Sequence, residues 1–133
     1  SLSGRPKVFL MVDKTFPVLA DLVQRLGLTV RTGADGLDRP VTGGYVGDLL
    51  SDVMGNSHEG EIWITRQVHP NIVAVASLKD LAGIILVNGS EPAPETLSKA
   101  AVEGIPVLVA DAPAFAVAGK VYNLIVRTGK TDP

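Results

Sequence analysis

Cysteine is absent from the 133-residue chain. Its absence excludes disulfides, cysteine-ligated zinc, iron–sulfur clusters and thiol nucleophiles. Histidine is scarce, with only His58 and His69 present, so a His-rich metal site has no donors. Aromatic residues make up 5% of the chain against 46% for all apolar types. The core therefore has to be built from Val, Leu, Ile and Ala, the composition of buried parallel strands covered by helices. Neither charge sign dominates: twelve basic and fourteen acidic side chains give a formal −2. With no run of Lys or Arg to track phosphates, nucleic acid is not the expected partner. Long hydrophobic runs are missing too, because Val8 to Val12 is closed by Asp13 and Lys14, far short of the ~20 residues of a membrane span. Ser1 to Lys7 lacks the apolar core and small-residue cleavage site of a signal peptide, and a cytoplasmic location without membrane association is expected.

What is present reads as one α/β domain, the ordinary outcome at this length, with residues 1–7 and 128–133 expected to be flexible. Thr15 is placed to cap a helix with Pro17 in its first turn, an apolar stripe at Val18, Leu19, Leu22, Val23 and Leu26, and a stop at Gly27. Leu28 to Thr32 alternates like a short strand, and Gly33-Ala34-Asp35-Gly36 turns out of it. Val41 to Val46 reads as a strand carrying two glycines. It runs into helical spacing over Asp48 to Met54, with Gly55-Asn56-Ser57 as the stop. Glu61 to Thr65 is the clearest strand, followed by a polar loop and a helix through Ile72 to Leu78. The alternation then continues as strand Gly83 to Val87, helix Pro94 to Glu103, strand Ile105 to Val109 and helix Pro113 to Val126. Pro106, unable to donate to a ladder, belongs at the beginning of its strand. This rhythm implies right-handed βαβ units and a three-layer, mostly parallel sheet with helices on both faces.

Asp38-Arg39-Pro40-Val41-Thr42-Gly43-Gly44-Tyr45-Val46 resembles the signature of the DRTGG domain family, with Pro40 and Val41 interrupting the eponymous letters. A second stretch, Gly60 to Thr65 followed by Asn71 to Ala76, resembles that family's other signature, and the likeness covers about residues 16–124. Such domains stand beside CBS domains in some pyrophosphatases, in the N-terminal part of some phosphotransacetylases, and as short free-standing proteins. The resemblance implies a fold similar to the N-terminal domain of HPr kinase/phosphorylase and a stand-alone regulatory domain without catalytic activity. It further implies a homodimer that senses a small anionic ligand, an adenine nucleotide by association with CBS domains.

Two stretches could carry that role. At Thr42-Gly43-Gly44 the glycines expose backbone N–H groups to an anion; the architectural alternative is a bend against a neighbouring helix. The loop Thr65-Arg66-Gln67-Val68-His69-Pro70-Asn71 lies between a strand end and a helix start, where open parallel sheets bind ligands. There Arg66 can pair with a phosphate or carboxylate and Gln67 can read an amide or base edge; the alternative is a solvated loop whose helix is capped by Asn71 or His69. Thr65, Arg66, Gln67, His69 and Asn71 are thus the expected ligand residues, with no cofactor and no metal. Asp48 and Asp52 are spaced to share a helix face and read as its polar side. Ser51, Ser57 and Ser77 lie in no Gly-x-Ser-x-Gly elbow. A module that only docks on a partner protein is the alternative function, and a small enzyme acting on phosphorylated substrates through His69 stands last.

Overall fold

A computed structural model describes residues 16–129 of the chain. The elements run α1 (Leu19–Leu26), β1 (Thr29–Thr32), a 3₁₀ turn (Ala34–Gly36), β2 (Gly43–Val46), α2 (Leu50–Asn56), β3 (Glu61–Thr65), α3 (Asn71–Leu78), β4 (Gly83–Leu86), α4 (Pro94–Glu103), β5 (Val107–Val109) and α5 (Ala114–Gly129). One five-stranded sheet has the order β1-β5-β4-β3-β2. β2, β3, β4 and β5 are mutually parallel, while β1 joins β5 antiparallel.

Helices cover both faces, giving the three-layer arrangement that the alternation implies. On one face Leu19 and Leu22 of α1 and Val117 and Val121 of α5 pack with Ile62, Ile64, Ile85 and Leu108. On the other, Val53 of α2, Ile72, Val73, Val75 and Ala76 of α3 and Ala100 of α4 enclose Trp63, Ile84, Leu86 and Val107. β4 and β5 are buried along their whole length, as continuous apolar strands between two helical layers must be. Among the described residues no helix is long and apolar enough to cross a membrane.

Two sequence expectations shift at helix starts. The expected cap Thr15 lies outside the described residues, and α1 begins only at Leu19. Pro17 is held outside the helix because its carbonyl accepts the Val41 N–H (2.8 Å) and Val18 bridges Pro40 antiparallel. The first turn is closed instead by Asp21, whose carboxylate accepts the Val18 N–H at 2.8 Å. The second shift concerns Asp48, which lies before α2 rather than on it. Gly55 and Asn56, expected to stop that helix, are its last residues; Ser57 closes it through its N–H and hydroxyl, both donating to the Val53 carbonyl.

Pro106 stands just before β5, where its carbonyl accepts the Ile84 N–H at 2.9 Å. α4 starts at Pro94 and ends at Gly104 in the left-handed region. Residues 1–7 and 130–133, expected to be flexible, lie outside the described residues, and α5 runs on to Gly129.

Candidate functional site

At the carboxyl edge of the sheet, the connection from β2 to α2 is fastened to the end of β3. The Trp63 indole donates to the Gly47 carbonyl (2.8 Å), and the Gly47 N–H donates to the Ile64 carbonyl (3.1 Å). One residue on, Asp48 Oδ1 accepts the Thr65 hydroxyl at 2.7 Å and the Arg66 N–H at 2.9 Å. These two hydrogen bonds, Arg66's first, hold the Asp48 carboxyl below the ordinary aspartate range, aided by the Arg66 charge and opposed by partial desolvation. Donation from Arg66 and Thr65 is what draws Asp48 out of α2.

Thr65 is buried, and its hydroxyl oxygen also accepts the Gln67 N–H at 3.2 Å. The Gln67 amide donates to the Asp48 carbonyl at 2.9 Å. Both side chains therefore brace the loop. Val68, next along, offers its carbonyl to the Thr96 hydroxyl (2.6 Å) and the Ala93 N–H (3.1 Å), which ties the loop to the start of α4. Arg66, His69 and Asn71 are exposed. Neither Asn71 nor His69 caps α3, as the solvated-loop alternative would have it: Pro70 holds the cap position without a side-chain bond, and the His69 and Pro70 carbonyls accept the N–H groups of Ile72 and Val73.

Thr42, Gly43 and Gly44 lie at the other end of the sheet. Gly43 pairs with Glu61 and Val46 with Ile64, so Thr42 and Thr65 are about 13 Å or more apart along the strands, and the two expected stretches do not converge. The Thr42 hydroxyl donates to the Glu59 carbonyl (3.3 Å), beside Gly60, which turns with φ +84°. Gly43 and Gly44 make no bend, since β2 keeps straight register with β3. A methyl group at Gly44 would lie 3.6 Å from Ile62 Cγ2, an ordinary contact, so packing within the sheet does not demand this glycine. Its effect is to leave bare the floor of a groove of about 810 Å³ between β2 and α5.

That groove is lined mainly by apolar groups, including Val46, Ile64, Phe115 and Tyr122. On its rim Phe115 is 92% exposed and Tyr122 69%. The residue sequence did not single these out, although a signal existed: Phe115, Tyr122 and Val126 make a second apolar stripe on a helix whose Val117 and Val121 already face the core.

Arg39 of the first motif lines another hollow, of about 530 Å³, at the amino edge, with Thr42, Glu59, Asp80 and Glu103. Its guanidinium donates to the Gly104 carbonyl (3.1 Å) and its own carbonyl accepts the Leu19 N–H (2.9 Å), so it clasps the end of α4 and the start of α1. Toward the carboxyl end of β2, with its ring against Gly47, Tyr45 donates to the Asp52 carboxylate, and this bond, with some desolvation, pushes the phenol up to about 12. Among the described residues no group of three or more His, Asp or Glu gathers as a metal site.

The layers, the strand order and the two sheet edges define an α/β domain with a predominantly parallel sheet. Among solved structures, the chain is similar to the crystal structure of the CBS and DRTGG domains of the regulatory region of Clostridium perfringens pyrophosphatase, complexed with its activator diadenosine tetraphosphate. The TM-score is 0.67 at 18% identity, covering 89% of this chain and 50% of that one; at that identity the likeness is one of fold. The chain thus spans about half the length of that regulatory region. No family model matches the sequence, and no curated protein matches it.

Proposed function

We propose that the chain is a non-catalytic regulatory domain that senses a small anionic ligand, an adenine nucleotide first among the classes to test, at the carboxyl edge of its sheet. The observation carrying this reading is the fold likeness to a regulatory region complexed with a nucleotide activator. The local chemistry supports it. Arg66 offers a planar fork for phosphate, and α3 begins five residues on with no side-chain hydrogen bond at its cap. Thr65 and Gln67 fix the loop, leaving Arg66, His69 and Asn71 to face the ligand.

A thermal-shift series with AMP, ADP, ATP and diadenosine tetraphosphate tests the reading. At a hundredfold excess over Kd a ligand stabilises by about 2.7 kcal/mol, a rise in Tm of about 10 °C for a chain of this size. Arg66→Ala should abolish the rise and leave the unliganded Tm nearly unchanged, because the residue is exposed and its structural bond uses the backbone N–H. A flat response to every nucleotide and phosphorylated metabolite sinks the sensing reading.

A second reading, association with another protein surface, is favoured by the open groove between β2 and α5. Exposed aromatic residues beside an apolar hollow are what an interface uses, and a second copy of the chain is the partner proposed. Thr42, Gly43 and Gly44 belong to this surface. Sedimentation should give a dimer that Tyr122→Glu turns into a monomer; a monomer at all concentrations counts against pairing.

A further inference from the structure

The two helices covering one face of the sheet run side by side, and their outward surfaces carry a cluster of cations that the carboxyl-edge site does not use. On α5, Lys120, Asn123, Leu124 and Arg127 follow the spacing i, i+3, i+4, i+7, which places them on a single stripe. The last turn of α1 brings Arg25 and Leu26 against that stripe. The six residues together line a hollow of about 290 Å³. Its charged residues are three cations, in a chain whose formal net charge is −2. Among the described residues the ion pairs are Arg31 with Glu91 and His58 with Glu61, and neither includes Arg25, Lys120 or Arg127.

Helix dipoles account for part of this. Arg25 and Arg127 stand in the last turns of their helices, where the negative end favours a cation. Lys120 is in the second turn of α5, about 10 Å from Arg127 along the axis, so the helix end does not explain it. Lys120 also lines an adjoining hollow with Gly27, Ala110 and Asp111 and, with Asn123, the groove against β2, so it lies where three depressions meet. Like charges around a shared hollow repel one another, and a multivalent anion seated among them removes that cost.

We propose that this hollow binds a small phosphate-bearing molecule, with Arg25, Lys120 and Arg127 as its cations, Asn123 as a neutral hydrogen-bonding group, and Leu26 and Leu124 as an apolar floor. Two guanidinium forks and an ammonium suit phosphate oxygens better than a single carboxylate. The volume lies at the small end of ligand pockets, which fits a phosphate group with one sugar-sized substituent. The site is separate from the carboxyl-edge site and does not depend on it.

Inorganic pyrophosphate at constant ionic strength is the probe, followed by calorimetry and by amide chemical-shift changes. Saturable binding is expected, with shifts concentrated at residues 25–26 and 120–127. Lys120→Gln and Arg127→Gln should each weaken it by about tenfold or more, as loss of a charge-assisted bond does. Both residues are exposed, so the variants keep the fold, which circular dichroism checks. Arg66→Ala should bind pyrophosphate like the parent. Non-saturating shifts spread over the surface, parental affinity in the two Gln variants, or loss of binding in Arg66→Ala would each overturn the site. Pyrophosphate binding that survives Arg66→Ala beside a flat nucleotide response leaves this site standing and removes the nucleotide reading; a nucleotide response with no pyrophosphate binding does the reverse.

Discussion

Asp48 decides what the carboxyl edge is made of. One carboxylate oxygen accepts from a buried hydroxyl and a backbone amide, so Asp48→Ala leaves the Thr65 hydroxyl without that partner and should cost about 2 kcal/mol in chemical denaturation. The direction of its pKa shift sets a pH test. A carboxyl depressed in the fold contributes stability above its unfolded pKa and loses it as pH falls through the folded value. The parent should therefore lose stability below about pH 4 more steeply than Asp48→Asn, and equal slopes would remove Asp48 from the acid transition. None of this could be read along the chain, because Thr65 and Arg66 lie 17 and 18 positions away. In isolation Asp48 and Asp52 look like one polar helix face, the reading the structure replaces. Arg66, His69 and Asn71, by contrast, are exposed at a strand end, which the order strand, polar loop, helix already implied.

Elements whose signals are local were legible: Glu61–Thr65 by its β-branched and aromatic content, and Pro94–Glu103 between a proline and a glycine. Elements whose boundaries depend on distant partners moved. Pairing of Pro17 and Val18 with Pro40 and Val41 delays α1, and the groove arises only when α5 packs over β2, some 70 positions earlier in sequence. The turn after β1 shows a local signal serving a distant contact. Gly33 has φ +83°, and a Cβ there would sit 2.4 Å from Pro106 Cα. Backbone strain and collision act together, so Gly33→Ala should destabilise by about 3 kcal/mol. Hydrogen exchange should show β1 loosening from β5 before the parallel strands open; a change under about 0.5 kcal/mol would mean that the turn relaxes without the glycine.

For the molecule as a whole, the strand order leaves β1 and β2 as rims, and they differ. Along β1, Arg31 forms a two-pronged ion pair with Glu91, both bonds 2.8 Å, across to the connection before α4, and a charged rim of this kind discourages strand addition. β2 carries Gly43 and Gly44, and among the described residues only β3 pairs with it. If copies associate through the β2 groove, Tm should rise with protein concentration in the parent and stay constant in Tyr122→Glu. The unequal rims also govern how far assembly can go. Contact between the same rim on two copies is satisfied by a two-fold axis and then exhausted, whereas fibre growth needs a receptive rim at each end of the sheet. An Arg31→Val exchange, by unmasking β1, should therefore convert a self-limiting pair into an open-ended polymer detectable as turbidity.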